Sequence, residues 1–226
     1  MARRARGRDH APDTSAEVVQ DHLARIYVTL RRAFDLPPLR PDPTAPTRLP
    51  RSLAGLAEWL AGPLPAEELG RAVMRSFPKG LGVVPALPWP VGAEAGAFEN
   101  SPAGRQAEHP LLRAVEADQG RSPLWRYLGL LADLEGARDL AGPQRLADGT
   151  AVVQAARGAY ALRLGQAGGL VTGVVRVTPT DHQLAPGGAL AQAVAQVPGD
   201  RPDLVARLVA LHDPCIPVTV REVHHA

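Results

Sequence analysis

Thr150-Ala-Val-Val-Gln-Ala-Ala-Arg-Gly-Ala-Tyr-Ala-Leu-Arg-Leu164 and, after a glycine-rich gap, Leu170-Val-Thr-Gly-Val-Val-Arg-Val-Thr178 decide the fold class. Both runs are rich in residues that suit a pleated surface, Val174, Val175 and Val177 among them. Gly165 to Gly169 reads as the turn between two antiparallel strands, and Pro179 as the end of the second. Outside this hairpin the apolar residues recur at three and four. The chain therefore reads as α+β, mainly helical, with a small antiparallel hairpin or sheet between two helical blocks.

Working outward, helices are expected at about Gly188 to Gln196 and Pro202 to His212. On the other side lie about Pro110 to Asp118 and Ser122 to Leu140, the latter with Ser122 as N-cap and Pro123 in its first turn. Leu124, Tyr127, Leu128, Leu131 and Leu134 form its expected buried face. Two short helices, about Ser52 to Leu60 and Ala66 to Ser76, precede an irregular Pro/Gly-rich segment from Phe77 to Pro110. The first helix should open at a Thr14/Glu17 capping box and bury Val19, Leu23, Ile26, Tyr27, Leu30 and Phe34, until Leu36-Pro37-Pro38 stops it. Residues 37–50 read as an extended connector. Residues 1–13 read as a disordered basic tail, and 14–226 as a single domain.

Composition narrows the function. Proline and glycine number 23 and 22 of 226 residues, against 4% aromatics, so the core must rest on Leu, Val and Ala. The single cysteine, Cys215, excludes a disulfide framework and a four-cysteine zinc site. No run has the ~20 apolar residues of a membrane span, and no apolar stretch follows the arginines of residues 1–10, so no membrane role, no secretory signal and a cytoplasmic protein are expected. A net charge of +2 is a weak electrostatic footprint, and no nucleic-acid partner is expected.

Three segments of the C-terminal third carry a family resemblance. Gln154-Ala-Ala-Arg157-Gly-Ala159 resembles the Glu-Ala-Pro-Arg-Gly pattern of nickel-iron hydrogenase large subunits. Val177-Thr-Pro179-Thr180-Asp-His-Gln183 is similar to their Pro-Thr-Thr-Trp-Asn, and Leu211-His-Asp213-Pro-Cys215-Ile216 to the start of Asp-Pro-Cys-x-x-Cys-x-x-His. Glu99-Asn-Ser-Pro-Ala-Gly-Arg105 resembles a further segment, Glu-x-Gly-Pro-x-x-Arg. The likeness is strongest over 150–217 and implies a large-subunit-like C-terminal half. The hydrogenase centre needs two Cys-x-x-Cys pairs, because soft thiolates hold nickel and bridge it to an iron carrying cyanide and carbon monoxide. Here Val218 and Arg221 stand where the second cysteine and the histidine would be, and no upstream pair exists. The chain also ends five residues past Arg221, without the extension that true large subunits lose on assembly. Hydrogen activation is therefore not expected, and no enzyme activity.

The whole pattern resembles the HupK-type hydrogenase assembly proteins. That resemblance implies a non-catalytic scaffold or chaperone in hydrogenase maturation. It would accept or protect an iron-cyanide-carbonyl intermediate, or dock its carrier, with HypC-type chaperones and other maturation proteins or hydrogenase subunits as partners. By the same resemblance Cys215 would hold the metal fragment, Arg157 and Thr180 would donate to cyanide nitrogens, and Pro179 and Asp213 would complete the ligand-binding set. Simpler readings stand beside these: Cys215 as a buried inert thiol, Arg157 as a surface arginine, Thr180 as a cap or turn residue. Asp181, His182 and Cys215 could form a nucleophilic set, and His212, His224 and His225 could bind metal. A metal-free structural or regulatory partner of a hydrogenase subunit is the alternative function.

Overall fold

The computed structural model describes residues 16–38, 48–136 and 141–221. In chain order the elements are α1 (Ala16–Ala33), α2 (Leu53–Leu60), α3 (Pro65–Ser76), α4 (Pro102–Arg105), α5 (Pro110–Gln119) and α6 (Pro123–Glu135). A meander β1 (Gln144–Arg145), β2 (Ala151–Ala155), β3 (Gly158–Ala167), β4 (Leu170–Val177) follows, and then α7 (Pro179–Leu184), α8 (Ala189–Val194) and α9 (Pro202–His212). The four strands pair antiparallel in sequence order. This is the α+β, mainly helical architecture that the sequence implies. No described helix is long and apolar enough to cross a membrane.

The boundaries correct several expectations. The run 150–164 is not one strand. It breaks at Ala156-Arg157, because Ala155 pairs with Gly158 across a two-residue turn. Pro179 ends β4 but opens α7, where Thr178 and Asp181 form a reciprocal capping box. Four-residue α4 lies in the segment read as irregular, capped by Ser101, whose hydroxyl accepts from Gly104 N–H at 3.0 Å. Helix α6 starts as expected at Ser122-Pro123 but ends at Glu135, and residues 137–140 lie outside the described residues. Helix α1 ends at Ala33, ahead of the prolines, with Asp35 left-handed at φ 53°. The Thr14 box, the tail, the side chains of Val19 and Leu23 and residues 39–47 of the connector also lie outside the described residues.

Helix α6 is the axis of the core. The sequence pattern gave it one apolar face, yet Pro123 through Asp133 are all buried. Around Trp125, Tyr127, Leu128 and Leu131 pack Leu69 and Val73 of α3, Leu111, Leu112 and Val115 of α5, and Leu204, Leu208 and Leu211 of α9. A second, smaller cluster of Val152, Ala159, Ala161 and Val177 lies under the sheet, closed by Trp89, Ala93 and Leu146. Beyond Ala161 and Val177 the β3–β4 ribbon leaves the body. From Arg163 to Arg176 every residue is exposed, Leu164, Leu170, Val171 and Val174 included.

Helix α4 lies against α6 at a glycine. A Cβ on Gly129 would come within 2.2 Å of Ala103 Cβ and 2.4 Å of its Cα. Gly129→Ala therefore overpacks the core and should lower unfolding free energy by about 1–3 kcal/mol. Urea denaturation should show this as a lower midpoint with an unchanged slope.

Candidate functional site

The site is built around the loop Glu99-Asn100-Ser101. Asn100 is fully buried. Its amide donates to the Ala159 carbonyl at 2.8 Å and to His182 Nδ1 at 3.0 Å, and its Oδ1 accepts from Ala159 N–H at 2.6 Å. One side chain thus holds the first residues of β3 and the middle of α7. The approach requires Gly158: its φ is +137°, and a Cβ there would lie 2.3 Å from Asn100 Oδ1. Because Asn100 donates to Nδ1, the hydrogen of His182 is on Nε2, which donates to the Glu94 carbonyl at 2.8 Å.

Two buried ion pairs fix this loop. Glu99 meets the Arg126 guanidinium in two parallel hydrogen bonds of 2.9 Å and accepts a third from Ser101 at 2.7 Å. Burial pushes the Glu99 carboxyl up, but Arg126, with Ser101 and Arg121, outweighs it and holds the group below the usual carboxylate range. Arg105 forks onto Asp133 with two bonds of 2.8 Å and reaches the Ala155 carbonyl at 3.0 Å and Gln154 at 2.8 Å. That bond anchors the strand at the residue before the β2–β3 turn.

Arg157 sits at the tip of this turn. Its Nε donates to the Asp213 carbonyl at 2.8 Å and lies 2.7 Å from Asp213 Oδ2, and Nη2 reaches Oδ1 at 3.3 Å. Asp213 caps α9 in the left-handed conformation, φ 45° and ψ 57°, immediately before Pro214. A proline cannot continue the helix, so the chain turns away and delivers Cys215 over α7. There the Thr180 hydroxyl donates to Cys215 Sγ at 3.1 Å and accepts from Cys215 N–H at 2.9 Å.

The structure therefore brings Thr180 and Cys215 into contact and joins Arg157 to them through Asp213-Pro214-Cys215. Pro179 is buried at the start of α7. Cys215 is exposed, not the buried thiol of the simpler reading. Thr180 is neither cap nor turn residue; Thr178 caps α7. Arg157 is engaged rather than a free surface arginine. The nucleophilic set does not form: Asp181 serves the Thr178 cap, His182 serves Asn100, and neither meets the sulfur. His224 and His225 lie outside the described residues. His212 is buried with Nδ1 on the Leu208 carbonyl at 2.9 Å, and among the described residues no group of three or more His, Cys, Asp or Glu could hold a metal ion. Asn100 and Arg126 went unrecognised in the sequence. Their only signal was the position of Asn100 inside the Glu99–Arg105 segment.

Fold and site define an α+β protein with one surface thiol, set on a hydroxyl and flanked by an anchored guanidinium. No protein-family model matches the chain, and no solved structure matches it. The hydrogenase expression/formation protein HupK of Rhodobacter capsulatus is 39% identical over 227 residues, spanning 93% of this chain and 75% of that protein. The chain belongs to the HupK family.

The buried groups make stability depend on pH in a defined way. Burial above all, with Arg126 nearby, lowers the His212 pKa from 6.5 to about 3. The unfolded chain thus binds the proton more readily between those values. Stability should be full above pH 6.5 and fall as pH drops toward about 3, where protonation of Glu99 adds to the loss. Glu99→Gln leaves Arg126 buried without its counter-charge and should cost about 3–5 kcal/mol at neutral pH. Urea unfolding from pH 3 to 8 tests both expectations.

Proposed function

We propose that this protein is a non-catalytic scaffold in nickel-iron hydrogenase maturation, which accepts or protects an iron-cyanide-carbonyl intermediate, or docks its carrier chaperone, at Cys215. The observation that carries this reading is the exposed Cys215 sulfur held against the Thr180 hydroxyl, one turn of chain from the Arg157–Asp213 pair. The HupK name of the relative supports a role in hydrogenase formation. Four cysteines would be needed to build the nickel-iron centre itself, and this chain has one. A single thiolate suits transient custody of one soft metal fragment.

Each neighbour has a task in that reading. Thr180 sets the sulfur's direction and is already committed as both donor and acceptor, so the thiol does not swing freely. Asp213 orients Arg157, whose Nη1 makes no hydrogen bond among the described residues. It can donate to an anionic ligand of the iron, and charge-assisted donors of this kind are the strong ones. Pro179 and Thr178 fix the first turn of α7 and so the position of Thr180.

The test is to mix the purified protein with a HypC-type chaperone carrying the iron-dicyanide fragment. A stable complex should form, or cyanide and carbonyl infrared bands should appear on the isolated protein. Cys215→Ala should abolish both. Thr180→Val should weaken capture about tenfold, the worth of one hydrogen bond to a charged group. Full binding by Cys215→Ala would favour instead a metal-free structural or regulatory partner of a hydrogenase subunit.

A further inference from the structure

The β3–β4 arm departs from two habits of antiparallel sheets. Such sheets turn apolar side chains to the core and polar ones to water. Here alternation from the buried pair Ala161–Val177 places Leu162, Leu164, Val171 and Val174 on the opposite, outer face, in line with Val153 of β2. Leu164, Val171 and Val174 are 53%, 62% and 61% exposed. The second habit is to guard a free edge with lysine, proline or an inward charge. β4 is the last strand of the sheet, and among the described residues no strand pairs with its far edge. Leu170 to Val175 bring neither charge nor proline to that edge. The other edge of the arm, on β3, has an ion pair at its foot, where Asp148 holds Arg163 at 2.6 Å. Glycine inside a strand weakens it and often marks the close approach of another backbone. A Cβ on Gly173 would meet no atom within 4 Å, so packing within the chain does not account for glycine there.

We infer that the free edge of β4 pairs antiparallel with β4 of a second copy of this chain, about a two-fold axis at Val174, so that two four-stranded meanders join in one eight-stranded sheet. Charge chooses the occupant. Residues 164–175 carry no charge in a chain that is 21% charged, so a partner matched by charge finds nothing to match. A two-fold contact needs only a surface that tolerates its own copy. Geometry chooses the register. Opposed side chains must share a face, so the axis passes through a residue, and pairing centred on Val174 spans Thr172 to Arg176, all clear of buried Val177. Gly173 then lies opposite the partner's Val175, which covers the bare backbone, and Arg176 opposite the partner's Thr172, so no charge meets its like. On the outer face Leu164 and Val174 continue into the same pair of the second copy. Area sets the strength. The arm exposes 14 residues, 163–176, against the roughly 20–30 a side of a standard stable interface, so the dimer is a reversible one in the micromolar range. This inference does not depend on the iron reading, because Cys215 is held by Thr180, outside the arm.

The test is analytical ultracentrifugation of the full chain between about 1 and 500 µM under reducing conditions. The weight-average mass should rise from 23.9 kDa toward twice that value and stop there. Val174→Lys and Val174→Glu each set like charges face to face across the axis, and each variant alone should stay monomeric. An equimolar mixture of the two should recover the dimer, because opposite charges then meet. Cys215→Ala should dimerise as the unaltered chain does, which separates the arm from the thiol. A second measurement fixes the register. Residues opposed in an antiparallel pair have Cα atoms about 4.5–5.5 Å apart, within disulfide reach. In a Cys215→Ala background, Val174→Cys should therefore cross-link two copies on oxidation with diamide. Val153→Cys, exposed on β2 and away from the axis, should not. A chain that stays monomeric at the highest concentration, a dimer that Val174→Lys leaves intact, or growth beyond two copies would overturn the inference.

Discussion

The double hydrogen bond between the Asn100 amide and the backbone of Ala159 is the constraint on which the site depends. It joins a loop of the helical half to the start of β3, across a glycine that has no Cβ to obstruct the approach. The third bond, to His182, carries the same constraint into α7. The turn bearing Arg157 and the helix bearing Thr180 are thus set by one buried side chain. The Glu99–Arg126 and Arg105–Asp133 pairs beside it keep that side chain from shifting, and Arg105 also grips Ala155. Such a network works only when nearly every member is satisfied, since the low-dielectric interior that strengthens each bond also penalises each vacancy.

Backbone direction contributes as much as side-chain bonding. Asp213 adopts a left-handed conformation just ahead of a proline, two constraints that together forbid α9 from continuing. Its carboxylate is simultaneously the anchor of Arg157. One residue therefore ends the helix, turns the chain toward α7 and positions the guanidinium. The thiol arrives over Thr180 because of where α9 stops, and the hydroxyl then fixes it from both its backbone and its sulfur side.

Much of the fold was legible because local signals agreed. Ser52, Ser122 and the prolines at the starts of α5 and α9 mark helix ends by mechanisms that need no tertiary context. What was not legible came from tertiary choices. The break at Ala156-Arg157 lies in a run that reads continuously as strand, and it follows from Gly158 meeting Asn100, some sixty residues away in sequence. Helix α7 is too short to show a period, and its cap, Thr178, looks like the last residue of a strand. Helix α6 shows an ordinary amphipathic stripe, yet it is enclosed on all sides, because Arg126 and Asp133 are neutralised by partners from α4 and its preceding loop. In the site, the residue types at 157, 180, 213 and 215 were readable from motif order. Asn100 was not, since a lone asparagine in a Pro/Gly-rich segment looks like any turn residue.

The β3–β4 ribbon has a different consequence. Its last buried residues are Ala161 and Val177, and the exposed stretch from Arg163 to Arg176 is tied back at its base by the Arg163–Asp148 and Arg176–Asp181 ion pairs. The strand pairing that positions Arg157 is complete before the ribbon departs. The outer arm can therefore lengthen or shorten, provided it does so in matched pairs that keep the two-residue alternation. Relatives can differ in the reach of this arm while presenting the same thiol, hydroxyl and guanidinium in the same places.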